Sequence, residues 1–402
     1  MSVIGIIAEY NPFHLGHKHQ IDEIRKRFGE DSTIVAVMSS NLTQRGEVAI
    51  FDKADRAKAA VMCGVNLALE LPFPYSMAGA QFFAEGGVGI LDALGAVDYL
   101  SFGSECADLE SLSLAADILS ENSDSLEEGH DSIGYAKKCE ELCRLHFDDA
   151  HALLSPNNIL GIEYIKAINK LESSIVPTTL KREGCDYLDK NISEKELPSA
   201  MAIRERLLNN DISALDYTPK AAKDIFSSAI QNGSAPCLAS RLDAAVVASF
   251  RLNSSPEFGD TIHDAGGGLY NRIKAASFSA DCISSLTELA KTKKYTTARI
   301  RRAIWFSYFG VTSSDVRQKP TFTQVLGVDE KGAALLKRIK KTAKIPILTK
   351  PSAKDTLAGY ALASKALSDR VDSVLQLTKP DFVRGDAGLL FTPFVKSGDI
   401  LR

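Results

Sequence analysis

Two histidines three residues apart carry the first chemistry in the chain. His14-Leu15-Gly16-His17 closely follows the apolar run Val3-Ile4-Gly5-Ile6-Ile7-Ala8. Imidazoles at i and i+3 share one side of a helix and can both donate to phosphate oxygens. A helix N-terminus adds unpaired N–H groups and the positive end of the dipole. Gly16 between the histidines lets backbone approach a ligand where a Cβ would intrude. Such a site suits a reaction at a phosphate group. That reaction needs positioning and charge neutralisation more than a covalent nucleophile. The four letters alone also fit a chance surface pair or a metal pair, but a zinc site lacks a third ligand at useful spacing. Pro198-Ser199-Ala200-Met201-Ala202-Ile203-Arg204 is a second candidate. Read as residues alone, it is a helix start with Ser199 as the cap.

The surrounding pattern supplies the elements that would hold these groups. Val3 to Ala8 is β-branched and apolar, as a central parallel strand is, and Asn11-Pro12 breaks it before a helix. Ser32–Met38, Val65–Leu71 and Val97–Phe102 read as further strands, with helices over Asp52–Cys63 and Phe82–Leu94 between them. Leu109–Leu154 is helical and acidic, Ile159–Leu171 is a helix, and Ser174–Lys181 is strand-like. The alternation predicts an α/β fold with a Rossmann-like, doubly wound parallel sheet, whose ligands sit beyond the carboxyl ends of the strands. After about residue 215 the pattern is mostly helical. Two domains are therefore expected, residues 1–215 and 216–402.

Apolar residues make up 45% and charged residues 24%, a soluble globular composition, and the net charge is −4. The distribution is uneven. Residues 291–350 hold 15 Lys and Arg against 3 Asp and Glu. Such a block predicts a polyanion-binding face on the second domain. Lys291, Lys293, Lys294, Arg299, Arg301 and Arg302 form one cluster. Lys337, Arg338, Lys340, Lys341 and Lys344 form another. Tyr295, Trp305 and Tyr308 could stack on bases, or Trp305 could be core. Leu326-Gly327-Val328-Asp329-Glu330-Lys331-Gly332 faintly suggests a helix-hairpin-helix grip. The seven scattered cysteines, Cys63, Cys106, Cys139, Cys143, Cys185, Cys237 and Cys282, read as reduced thiols, and no metal site is expected. No leader or membrane-spanning run is visible, so a cytoplasmic protein is expected.

His14-Leu15-Gly16-His17 resembles the H-x-G-H signature of the adenylyl-transferring nucleotidyltransferases, which include the class I aminoacyl-tRNA synthetases. The 198–204 segment stands where that superfamily has I-S-S-T-x-I-R, and matches it at Ser199, Ile203 and Arg204 but not at Ala200 and Met201. A closer resemblance, to the bacterial tRNA(Met) cytidine acetate ligases, covers most of the chain. It is carried by Gly5–His17, Leu100–Glu105, Ser155–Gly161, Leu180–Gly184 and Lys291–Arg302.

This resemblance implies activation of acetate by ATP, with magnesium and without acetyl-CoA, to give acetyl-adenylate. Acetyl transfer to N4 of the wobble cytidine of elongator tRNA(Met) follows. It places Ile7, Ala8, Glu9, Tyr10, Asn11, Pro12, Phe13, His14, Leu15, Gly16, His17, Lys18, His19 and Gln20 along ATP, with His14 and His17 catalytic. Gly103, Asn157, Arg182 and Glu183 would complete the pocket, with Ser199 and Arg204 on the phosphates. Read as residues alone, Gly103 is equally a turn glycine, Asn157 a helix cap, and Arg182 a surface ion pair. Asn157 and Asn158 both remain candidates for the ligand contact. The 291–302 cluster would hold the tRNA. Two other readings stand beside this one. A small-molecule adenylyltransferase or carboxylate-activating ligase would not need the basic block, and a non-catalytic RNA-binding protein would not need the histidines.

Overall fold

The opening run forms β1 (Val3–Ala8), with Ile4 and Ile6 buried on one face and Val3 and Ile7 on the other. Burial on both faces is why the run is continuously apolar. The structure is a computed structural model and describes residues 2–123, 132–182, 198–253, 258–386, 391–397 and 400–401. Glu183 and Cys185 lie outside the described residues.

From β1 the chain passes through α1 (Leu15–Phe28), β2 (Thr33–Ser39), α2 (Lys53–Met62), β3 (Leu67–Leu71), α3 (Ala80–Ala93) and β4 (Tyr99–Ser104). Helices α4 (Leu109–Glu121), α5 (Ser132–Cys143), α6 (Ala150–Leu153) and α7 (Pro156–Lys170) precede β5 (Val176–Lys181), and α8 (Ala200–Leu208) comes after it. Strands β5, β4, β1, β2 and β3 lie side by side in that order, all parallel. The chain winds outward from β1 to β3 and then returns to the other flank of β1. The switch point falls between β1 and β4, where a ligand crevice belongs. Val88, Leu91, Ile162 and Ile165 cover one face of the sheet, and Ile21, Ile24, Ala57 and Val61 the other. Gly87 has a packing reason in mid-helix. A Cβ there would lie 2.7 Å from Ile7 Cδ1, so the glycine lets α3 close on β1.

Helices α9 (Lys220–Gln231), α10 (Asp243–Leu252), α11 (Phe258–Thr261), α12 (Leu269–Ser277), α13 (Ile283–Ala290), α14 (Thr297–Phe309) and α15 (Ser313–Arg317) follow. Most of them share a core containing Phe250, Ile273, Leu286, Ile304 and Phe306. Leu42, Phe73 and Met77, from the loops after β2 and β3, join it.

The helical expectation fails at β6 (Thr323–Asp329), which pairs antiparallel with β3. Leu326-Gly327-Val328 is therefore strand and not a helix-hairpin-helix grip. Its buried, partly β-branched run is what a sheet interior selects. Helix α16 (Glu330–Ile339) then packs so closely that a Cβ on Gly332 would meet the Asn66 carbonyl at 1.9 Å. Strand β7 (Ile347–Leu348) pairs with β6, and α17 (Gly359–Leu375) follows. Strand β8 (Phe394–Ser397) also pairs with β6, and β9 (Ile400–Leu401) with β8. Residues far beyond 215 thus supply strands to the sheet that begins with β1. Among the described residues no helix is long and apolar enough to cross a membrane. Cys63, Cys106, Cys139, Cys143, Cys237 and Cys282 are free.

A buried charge cluster ties the C-terminal part to the sheet. Lys53 Nζ lies 2.5 Å from both Glu70 on β3 and Asp372 on α17, all three buried. Burial works against the ammonium charge, but Asp372 and Glu70 outweigh it and raise the Lys53 pKa. Lys53→Met would leave two buried carboxylates without their cation. A loss of about 3–5 kcal/mol is expected in urea denaturation, and a loss below about 1 kcal/mol would show that water already screens the cluster.

Candidate functional site

The turn after β1 is held from three sides. Tyr10 takes a positive φ of 49°, and the Asn11–Pro12 peptide is cis. Asn11 Oδ1 accepts from the Ile50 amide at 2.9 Å, the Asn11 carbonyl accepts from Arg204 Nη1 at 2.8 Å, and the Glu9 carbonyl accepts from Arg56 Nη1 at 2.5 Å. Tyr10 and Phe13 are buried, edge to face with ring centroids 4.9 Å apart.

This frame delivers His14 to the N-cap of α1. Its Nδ1 accepts from the Gly16 amide at 3.0 Å, while His17 Nδ1 accepts from the His14 amide at 3.2 Å. The two rings lie against each other, tilted by 33°, with centroids 3.9 Å apart. Because each Nδ1 is an acceptor, a neutral ring carries its proton on Nε2. Neutral is the state both adopt. Burial, then Arg182 and Arg204, pull the His14 pKa down to about 3, and burial, His14 and Arg182 lower that of His17 well below its usual value. The pair therefore offers two N–H donors without a net charge. A Cβ on Gly16 would lie 2.8 Å from His14 Cε1. The glycine makes room for the imidazole itself.

The carboxyl ends of β4 and β5 form the next wall. A Cβ on Gly103 would touch Arg182 Cγ at 3.0 Å, and the Arg182 amide donates to the Ser104 carbonyl at 3.1 Å. Gly103 thus lets the exposed Arg182 lie close over β4, near enough for its charge to reach both histidines. Helix α7 starts nearby, but its first N–H groups are engaged. The Glu105 carboxylate accepts from Ser155 Oγ at 2.9 Å, Asn157 Nδ2 at 2.5 Å and the Asn158 amide at 2.9 Å. Burial would raise the Glu105 pKa, but these hydrogen bonds bring it below the ordinary value. Asn158 is fully buried, its Oδ1 accepting from the Glu105 amide and its Nδ2 donating to the Ala152 carbonyl. Asn157 is the half-buried member of the pair.

Ser199 and Arg204 are placed differently from the phosphate expectation. Ser199 caps α8, accepting from the Ala202 amide, and is buried. Arg204 grips Asn11 and places Nη2 2.9 Å from Glu47 Oε2. Glu9 accepts from the Gln44 amide at 2.9 Å, and burial raises its pKa despite Arg204. Gln20 donates to the Ser101 carbonyl, and Lys18 pairs with Asp22. Sequence reasoning passed over Gln44, Glu47, Arg56 and Glu105. The sequence signal for Gln44 and Glu47 is the polar stretch Gln44-Arg45-Gly46-Glu47 beyond the carboxyl end of the second strand. Among the described residues, no group of three His, Cys, Asp or Glu side chains is placed to hold a metal ion.

Residues 1–384 match the HIGH Nucleotidyl Transferase family. The chain is 37% identical over 373 residues to the tRNA(Met) cytidine acetate ligase of Acetivibrio thermocellus, with 88% of this chain and 89% of the relative covered. It is 38% identical over 361 residues to that of Caldanaerobacter subterraneus subsp. tengcongensis, covering 87% and 89%. The chain belongs to the tRNA(Met) cytidine acetate ligases, within the HIGH nucleotidyl transferases. Its fold matches the crystal structure of apo Thermotoga maritima TmcAL with a TM-score of 0.91 at 28% identity, over 99% of this chain and 100% of that one. The same protein bound with alpha-thio ATP gives 0.89 at 29% identity, with the same coverage.

In this member of the acetate ligases the basic block divides in two. Lys291, Lys293 and Lys294 are exposed, as are Lys337, Arg338, Lys340, Lys341 and Lys344. The three arginines are engaged internally. Arg299 and Arg302 approach Asp264, the latter at 2.5 Å, and Arg301 pairs with Glu47 at 2.6 Å. Burial would raise the Asp264 pKa, yet Arg302, His263 and Arg299 together bring it below the usual carboxylate value. Trp305 is 1% exposed and donates to the Gly46 carbonyl, and the buried Tyr295 donates to the Gly267 carbonyl. Neither ring is open for base stacking, and Tyr308 is half-buried.

The histidine chemistry has a pH signature. Unfolded histidine binds a proton near pH 6.5, whereas folded His14 does not do so until about pH 3. The stabilisation is therefore full above pH 6.5 and is lost as pH falls below it, by about 2 kcal/mol per such group between pH 7 and pH 5. His14→Asn should reduce the pH dependence of the urea midpoint over this range. In the unliganded protein the His14 ring resonances should stay fixed from pH 5 to pH 8, and a midpoint near 6.5 would contradict the neutral pair.

Proposed function

We propose that this ligase joins acetate to AMP at the histidine turn and passes the acetyl group to N4 of the wobble cytidine of elongator tRNA(Met). An acetate oxygen attacks the α-phosphorus of ATP, and the bond to pyrophosphate breaks. The cytidine amine then attacks the acyl carbon of acetyl-adenylate. The bond to AMP breaks and the nitrogen loses a proton. No acetyl-CoA and no acyl-carrying cysteine are needed. The observation that carries the first half is the close, neutral His14–His17 pair, with both Nδ1 atoms engaged and Nε2–H left as the donor of each ring. Donors fixed before the reaction stabilise charge growing on phosphate oxygens without reorganising.

Within this reading, Ile7 to Gln20 line the nucleotide, Gly103 and Arg182 close the pocket on the β4–β5 side, and Asn157 lies at its edge. Arg204 acts through the shape of the turn, and Ser199 through the start of α8. Magnesium would arrive on the triphosphate, since the described residues offer no cluster to cage it. The exposed lysines after α13 and around the end of α16 suit RNA phosphates. Cytoplasmic residence follows from a tRNA substrate.

Protein, ATP, labelled acetate and tRNA(Met) should yield acetylcytidine without acetyl-CoA. Label entering tRNA only when acetyl-CoA is supplied would overturn the mechanism. A product formed without tRNA would favour a small-molecule ligase. His14→Ala or His17→Ala should slow acetate-dependent ATP–pyrophosphate exchange by about 10²–10³-fold while tRNA is still bound. Lys291, Lys293 and Lys294 replaced together by Ala should weaken tRNA binding and flatten its salt dependence, with ATP binding kept. Unchanged tRNA affinity in a filter-binding titration would remove those lysines from the interface.

A further inference from the structure

Glu47 has one carboxylate and two arginine partners that belong to different parts of the molecule. Its Oε2 lies 2.9 Å from Arg204 Nη2, and Arg204 Nη1 holds the Asn11 carbonyl in the histidine turn at 2.8 Å. Its Oε1 lies 2.6 Å from Arg301 Nη1 on α14. The loop around it repeats the same link. On the sheet side, the Gln44 amide donates to Glu9 Oε1 at 2.9 Å. On the helix side, Arg302 Nη1 donates to the Gln44 carbonyl at 3.4 Å and Trp305 Nε1 to the Gly46 carbonyl at 3.2 Å. Gly46, at φ +70°, is pressed onto α14, and a Cβ there would lie 2.7 Å from the Arg302 amide nitrogen. The two ends of the bridge differ in access. The Arg204 side chain is 10% exposed and the Arg301 side chain 39%. An anion from solvent can reach Arg301 but not Arg204.

We propose that Glu47 is a positioning residue that makes ATP affinity depend on tRNA. The tRNA half of this inference rests on the function proposed above. A backbone phosphate on Arg301 competes with Glu47 Oε1. The carboxylate is then held by Arg204 alone, which firms the grip of Arg204 on the Asn11 carbonyl and so on His14 and His17. Because binding linkage is reciprocal, ATP then strengthens tRNA binding by the same factor.

Calorimetric titration of ATP into the intact protein, without acetate and with or without saturating tRNA(Met), tests this. For the wild type, tRNA should tighten ATP binding by about fivefold or more. Glu47→Gln keeps the size of the side chain but removes the charge. It should weaken ATP binding about tenfold without tRNA and abolish the tRNA effect, with thermal unfolding checked separately. Arg301→Gln, which leaves Glu47 in place, should also lose the tRNA effect. Should Glu47→Gln fail to fold, Arg301→Gln alone decides the linkage. Wild-type ATP affinity in Glu47→Gln, or a tRNA effect that survives in either variant, would overturn the proposal. Absence of tRNA binding to the wild type would count against the tRNA reading itself, and would leave Glu47 as a positioning residue only if Glu47→Gln still weakened ATP binding.

Discussion

His14 Nδ1 accepts the Gly16 amide, and His17 Nδ1 accepts the His14 amide. This reciprocal cap satisfies two of the amides that a helix start leaves open, and it uses the two histidine side chains to do so. The consequence is chemical. With both Nδ1 atoms committed, each neutral ring has a single tautomer and a single donor. Burial keeps the rings neutral at ordinary pH, so the pair presents directed N–H groups and carries no net charge. Arg182 provides charge at the exposed rim, while Arg204 provides shape from inside.

The cap works only if the turn before it keeps its form, and that turn has little regular structure of its own. Its carbonyls are held by Arg56 and Arg204, and its Asn11 side chain by the Ile50 amide. Arg56 is fully buried and also donates to the Phe51 and Ser40 carbonyls. An uncompensated guanidinium in such a place would be very costly, so its hydrogen bonds fix the loops after β1 and β2 against each other. The Lys53, Glu70 and Asp372 cluster does the same between β3 and α17. Buried ionic groups of this kind specify one arrangement, whatever their net effect on stability.

Much of the front half was legible in the sequence. The Val3–Ala8 run, the proline break and the histidine spacing follow from local sterics and periodicity, and these place the site at the carboxyl end of β1. The strand over 323–329 was not legible in this way. Its pairing with β3 joins residues some 250 positions apart, and no local pattern encodes such a partner. The division of the basic block was hidden for a related reason. Charge counted along the chain cannot show that Arg299 and Arg302 face Asp264, or that Arg301 faces Glu47. Once those pairs are formed, the lysines carry most of the accessible charge.

What the sequence determined by itself is the identity and order of the reacting groups. A strand, a turn and a helix start that brings His14 and His17 together follow from backbone geometry and side-chain spacing within twenty residues. What only the tertiary structure decided is the protonation, orientation and company of those groups. Arg204 and Ser199 meet every type requirement for phosphate contact, yet they were drawn to Asn11, Glu47 and the first turn of α8. Hydrogen-bond partners and burial come from chain segments brought together by packing, and no spacing along the chain records them.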